Sequence, residues 1–123
     1  IVRSGEVEVM ALIAVNASGD IDDGATVAAV VAGDFVQPDV TPFVENTTIG
    51  VIVTNATLSK LECHLVAQTG HDGFGRALVP AHTQGDGDAV VCASTGVVDG
   101  DVALVRNLAL VATERAIRSI AAM

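Results

Sequence analysis

There is no tryptophan and no tyrosine in this chain of 123 residues, and phenylalanine occurs only three times. A surface that stacks nucleobases or cages a quaternary ammonium has almost nothing to be built from. Positive charge is nearly as scarce. Lys and Arg together number 6 against 15 Asp and Glu, a net charge of −9. That balance argues against nucleic acids and anionic membrane surfaces as partners, because both would be repelled. No apolar run reaches the ~20 residues of a membrane span, and no signal-like basic segment precedes one. The expectation is a cytoplasmic protein. Two cysteines, Cys63 and Cys92, are too few for a disulfide framework and read as reduced core thiols.

Half the residues are hydrophobic. They are mainly Ala, Val, Leu and Ile, which suits helices packed closely on a sheet. The length allows one domain at most. The chain opens at Ile1 almost directly into the apolar run Val7 to Val15, which points to a portion of a longer or processed polypeptide. That run reads as a buried strand. Residues 20 to 46, with their Asp, Gly, Ala and two prolines, read as an irregular connector. Thr48 to Thr54 is a second strand, rich in β-branched residues.

Ser59 with Glu62 three positions later forms a capping box, so a helix starts there. Its apolar stripe is Cys63, Val66, Ala67, Gly70, Phe74, Ala77 and Leu78, and Pro80 ends it. Gly70, Gly73 and Gly75 each cost about 1 kcal/mol of helix propensity, which close packing against a neighbour would explain. Ala89 to Ser94 is a third strand, with a turn over Thr95 to Gly100. Asp101 caps a last helix running to about Ala121, with Val105, Ala109, Ala112, Ala116 and Ile120 on its buried face. The fold class is α/β, in a piece that needs further strands to close its core.

The segment Glu45-Asn46-Thr47-Thr48 stands at the mouth of the second strand. Two readings are open. In one, Asn-Thr-Thr closes a loop, starts a strand and does nothing more. Alternatively, if the bond before Thr47 were cut, the freed α-amine, with an ordinary pKa of about 7.7–8.0, would accept the proton of the Thr47 hydroxyl. Thr48 could assist or merely begin the strand. Downstream lies Gly85-Asp86-Gly87-Asp88. It is either a solvated turn or a pair of carboxylates, Asp86 and Asp88, that orients the threonine and holds its ammonium. It lacks the further acidic positions of a calcium loop.

The residues Asn46 to Asn55, Leu58-Ser59-Lys60, Ala67-Gln68, His71-Asp72-Gly73, Arg76-Ala77-Leu78, Pro80-Ala81-His82-Thr83, Asp86-Gly87-Asp88 and Ala93-Ser94-Thr95-Gly96 occur in one order. That order resembles the C-terminal part of the DmpA-like peptidase family, which includes β-peptidyl aminopeptidases and nylon-oligomer hydrolases. The resemblance covers most of residues 7 to 96. It implies part of a four-layer α-β-β-α sandwich and a self-cleaving N-terminal-nucleophile amidohydrolase.

Mapped by the resemblance, the cut falls between Asn46 and Thr47, and Thr47 is the nucleophile. Asp86 and Asp88 match the acidic pair that positions it, a pairing that leans toward the nylon-hydrolase branch. Asn16, in Val15-Asn16-Ala17, matches the oxyanion-hole asparagine. Residues 1–46 would end the larger portion of the precursor, and residues 47–123 would form the smaller one. The expected partners are the N-terminal portion of the same precursor, a peptide or other small amide substrate, and further copies in an oligomer of processed heterodimers. No cofactor or metal is implied. The connector from Asn16 to Thr47 is shorter than the family pattern, and the family's active-site lysine and tyrosine have no counterpart here. An acyl transferase on a related scaffold and a catalytically inactive homologue are the competing readings.

Other polar residues have plainer expectations. His64 and His71 lie seven apart on one helix without a third ligand at metal spacing. Arg76 with Asp72 reads as an ion pair within the helix. His82 sits close to the acidic loop, where it either lines a pocket or, the plainer reading, is a loop histidine.

Overall fold

The computed structural model describes residues 1–37 and 46–123. Residues 38–45, with Glu45 and the two connector prolines, lie outside the described residues. β1 (Val2–Ser4) turns at Gly5, where φ is 58°, into β2 (Val7–Asn16). The left-handed backbone suits glycine and lets a two-residue loop join the hairpin. β3 (Asp20–Ile21) leads to α1 (Ala25–Ala32), and β4 (Thr47–Ala56) to α2 (Lys60–Ala77). Then come β5 (Leu78–Val79), β6 (Ala89–Val98), α3 (Val102–Arg118) and a final 3₁₀ turn over Ser119–Ala122. The fold is mixed α/β.

Four strands form one sheet in the order β1-β2-β4-β6, with β2 and β4 antiparallel and β4 and β6 parallel. Strands β3 and β5 pair separately. α2 links β4 to β6, and with α3 it covers one sheet face. Val7 and Val9 of β2, Ile52 and Ala56 of β4, Val66 of α2, and Val105, Leu108, Ala109 and Ala112 of α3 form the core between them. A second cluster joins Phe74, Ala77, Leu78 and Ile117.

The other face of the sheet is apolar and open. Met10, Leu12, Ile49, Val51 and Val91 are all exposed on it, Leu12 at 72%. These strands read as continuous hydrophobic runs because they are apolar on both faces, a pattern of sheets covered on both sides. Among the described residues no helix is long and apolar enough to cross a membrane.

The capping box is present. Ser59 Oγ accepts from Glu62 N–H, and the Glu62 carboxylate accepts from Ser59 N–H at 2.7 Å. Asp101 caps α3 by accepting from Ala103 N–H. The glycines of α2 divide by surroundings. A Cβ at Gly70 would meet Ile52 at 2.6 Å. One at Gly73 would meet Thr113 Cβ at 2.7 Å and the Leu110 carbonyl oxygen at 2.8 Å. Gly75 faces open space, and nothing in the structure explains it.

Gly73→Ala gains about 1 kcal/mol of helix propensity but overpacks against α3 backbone, which costs about 1–3 kcal/mol. We expect a lower urea midpoint for Gly73→Ala and an unchanged or higher one for Gly75→Ala. Equal midpoints for the two variants would contradict the close helix contact.

Several expectations are corrected. The connector holds a helix, α1, although its ATVAAVVA sequence has no polar face to give an amphipathic period. Asp22 creates it by accepting from Gly24 N–H and Thr26 N–H, both at 2.8 Å, and Gly33 (φ 80°) ends it. β6 runs on to Val98 through Gly96, whose φ of 68° a non-glycine residue would resist. Ile120 is exposed at 39% because α3 tightens into 3₁₀ at Ser119, and Ile117 takes the buried place instead. Arg76 reaches across to Glu114 of α3 at 2.7 Å rather than pairing along its own helix with Asp72. Glu114 also holds Arg118, which donates to the carbonyls of Asp22 and Arg76 and so ties the ends of α2 and α3 together.

Cys63 and Cys92 are free thiols, each half-buried. Burial, then the neighbouring Cys63, push the Cys92 thiol up to about 12, so it stays protonated and unreactive.

Candidate active site

β4 begins at Thr47, and its antiparallel partner there is Asn16, the last residue of β2. Residues directly opposite in an antiparallel pair project on the same face, with Cβ atoms about 4.5–5.5 Å apart. Alternation along β4 sets Thr47 on the open face with Ile49 and Val51, and Thr48 on the helix face with Ile52. The Thr47 side chain and the Asn16 amide therefore share the open side of the sheet end. Thr48 is fully buried, and its Oγ1 has no partner among the described residues.

Because β4 and β6 are parallel, the loop before β6 arrives at the same sheet end where β4 starts. Asn46 and Asp86 extend the parallel ladder by one bridge. Gly87 N–H donates to the Asn46 carbonyl oxygen at 2.8 Å, so the carbonyl of the Asn46–Thr47 peptide is already hydrogen-bonded. A Cβ on Gly87 would lie 3.3 Å from Thr47 Oγ1, which places the loop backbone beside that hydroxyl.

The two aspartates divide their work. Asp88 Oδ1 accepts from Thr48 N–H at 2.8 Å, and its Oδ2 lies 2.6 Å from His82 Nδ1. Asp86 Oδ1 accepts from Ser18 N–H at 2.9 Å and Ser18 Oγ at 3.1 Å. Its Oδ2 accepts from Thr83 N–H at 2.9 Å and Thr83 Oγ1 at 2.6 Å. These carboxylates bond to the frame around Thr47. Asp86 clamps the loop after β2 to the loop before β6, and Asp88 holds the residue next to Thr47.

Partial burial would raise the Asp86 carboxyl, but the hydrogen bonds from Thr83 and Ser18 outweigh it and the net pKa is lowered. A carboxylate depressed on folding stabilises the fold at pH values above its unfolded pKa of 3.8. That stability is lost as pH falls through the lower folded value. We expect Asp86→Asn to flatten the acid limb of the stability curve below about pH 4; a limb identical to wild type would contradict the clamp.

Ser18, Thr83 and Gly87 are neighbours that sequence reasoning did not place in the site, whereas His82 stands beside the acidic loop in both sequence and structure. Thr83 had a signal, a hydroxyl residue three positions before an aspartate, the spacing of a side-chain-capped turn. Ser18 had none, since its partner lies 68 residues away. His71 and His82 approach one another with ring centroids 4.9 Å apart. Burial, then the nearby His82, lower the pKa of His71.

The model of peptidase family S58 matches residues 1–122. The chain is 52% identical over 54 residues to an uncharacterized aminopeptidase of Mycobacterium leprae (strain TN), covering 44% of this chain and 15% of that protein. It is 31% identical over 116 residues to a 6-aminohexanoate-oligomer endohydrolase of Paenarthrobacter ureafaciens, covering 79% of this chain and 32% of the relative. A putative NylC-analogous protein of Agromyces sp. (strain KY5R) matches at the same identity over 37% of its length. The chain thus spans well under half of each of these relatives.

This chain belongs to peptidase family S58.

Proposed function

We propose that this chain carries the nucleophile of a self-processing amidohydrolase. One observation carries the reading. Thr47, Asn16 and the Gly87-Asp88 backbone meet at one sheet end, with the carbonyl before Thr47 hydrogen-bonded to Gly87 at 2.8 Å.

In the first reaction the Thr47 hydroxyl attacks the Asn46 carbonyl carbon. The C–N bond to Thr47 breaks, its nitrogen takes the proton, and water then hydrolyses the ester that has formed. The new α-amine is the base for later turnovers. A substrate amide takes the place of the Asn46 carbonyl, Thr47 Oγ is acylated, the amine product leaves with a proton, and water releases the acid. Asn16, through its side-chain amide, and Gly87, through its N–H, are suited to receive the oxyanion. Asp86 and Asp88 position Thr47, and Thr48 acts only through its backbone. No cofactor is needed for these steps.

The open apolar face beside Thr47 supports a partner layer. We assign that layer to the N-terminal portion of the precursor, which would complete the four-layer sandwich and wall the substrate cleft. Residues 1–46 then end the larger portion and 47–123 form the smaller one, with processed heterodimers assembling further in the cytoplasm. The relatives' names point to short peptides with a free amine or to 6-aminohexanoate oligomers as substrates. The test is amine release from both substrate types by the complete, processed polypeptide. Release from either class supports the reading; no release from either, with the bond before Thr47 cut, would refute hydrolysis.

A further inference from the structure

We propose that His82 is a positioning residue for Thr47, acting through Asp88. The inference rests on the Thr47 reading and deepens it. His82 Nδ1 lies 2.6 Å from Asp88 Oδ2, and the other oxygen of that carboxylate accepts Thr48 N–H at 2.8 Å. A carboxylate cannot donate here, so the hydrogen sits on Nδ1. The line therefore runs from His82 Nδ1–H to Asp88 and from Asp88 to the amide of the residue after the nucleophile. The Asp88 side chain is only 7% exposed, so its second oxygen has little water to replace a lost partner.

The histidine is itself held in place. Its ring stacks on the fully buried Phe74, with centroids 5.4 Å apart and planes 27° apart. His71 closes on it from α2. Its backbone sits at φ 53°, a left-handed conformation that few non-glycine residues adopt and that His, Asn and Asp tolerate best. A loop histidine with no task would need neither that backbone nor that ring support.

The consequence is mechanical. With both oxygens engaged, Asp88 cannot rotate, and Thr48 N–H fixes the backbone on which Thr47 Oγ is carried. Without the His82 donor the carboxylate can swing, and Thr47 loses its aim at the carbonyl. Misplacement by about 1 Å costs on the order of 100-fold in rate.

The experiment uses the complete polypeptide with His82→Asn, His82→Asp and His82→Gly, all compatible with the left-handed backbone. Asn keeps a donor toward Asp88. Asp has the same shape but no donor, and Gly removes the side chain without strain. Self-cleavage is followed by intact mass, and steady-state kinetics by amine release. We expect His82→Asn to keep most of the wild-type rate. His82→Asp and His82→Gly should slow both processing and kcat by roughly 10- to 100-fold with KM little changed.

Wild-type rates in His82→Asp and His82→Gly would overturn the proposal. So would His82→Asn as slow as His82→Gly, which would mean that ring packing matters and donation does not. If His82→Gly does not fold, the Asn and Asp pair decides alone. Thr47→Ala run alongside separates the two levels. Cleavage surviving in Thr47→Ala overturns both readings, whereas cleavage lost there but unaffected in His82→Asp overturns only the role of His82.

Discussion

Thr47→Ala is expected to abolish scission of the complete polypeptide and to remove amide hydrolysis. In the proposed mechanism the hydroxyl is the attacking group in both reactions, so no other atom would inherit its work. Loss of a covalent nucleophile typically costs at least about 10⁴-fold, or roughly 5 kcal/mol of transition-state stabilisation. Folding should hardly notice. Thr47 is half-exposed at a strand end and buries no large side chain, so the stability change should stay within about 0.5 kcal/mol. An uncut chain of normal thermal stability is the expected product, read by intact mass and a melting curve. Normal scission in Thr47→Ala would move the nucleophile elsewhere.

Asn16→Ala is the second large effect. Asn16 faces Thr47 across the β2–β4 ladder, on the side where an oxyanion would form. Removing one oxyanion donor costs about 100- to 1,000-fold in kcat. KM should change little, because the donor acts mainly on charge that develops in the transition state. Asn16→Asp should be slower still, since it sets a carboxylate against the developing negative charge. Steady-state kinetics on the processed protein settle this: an Asn16→Ala rate equal to wild type would leave Gly87 N–H as the donor and remove Asn16 from the site.

The elements that could be read from sequence are those whose signals are local. Ser59 and Glu62 announce α2 because a capping box closes within four residues. Strand β4 is legible from its β-branched run. α1 is not, since its residues are apolar all round and its start depends on Asp22, a side chain that looks like any other loop carboxylate. Two-residue strands such as β3 and β5 exist only because tertiary packing brings them together.

The candidate site divides the same way. A hydroxyl pair at a strand mouth and an acidic loop are visible along the chain. That the loop lies beside Thr47 follows from the parallel pairing of β4 with β6, which no local pattern records. The partners of the two aspartates are of both kinds. Thr83 lies three residues from Asp86 and His82 six from Asp88, whereas Ser18 and Thr48 come from distant parts of the chain. Arg76 shows the same limit, because its helix neighbour Asp72 is evident in sequence and its partner Glu114 is not.

The central claim is that residue 47 becomes a chain end. Intact mass with N-terminal sequencing of the complete polypeptide, purified without protease, tests it directly. The account predicts two fragments, the smaller beginning Thr47-Thr48-Ile49 and staying associated with the larger. A chain that remains whole on prolonged incubation under native conditions, or one cut at any other bond, would contradict it.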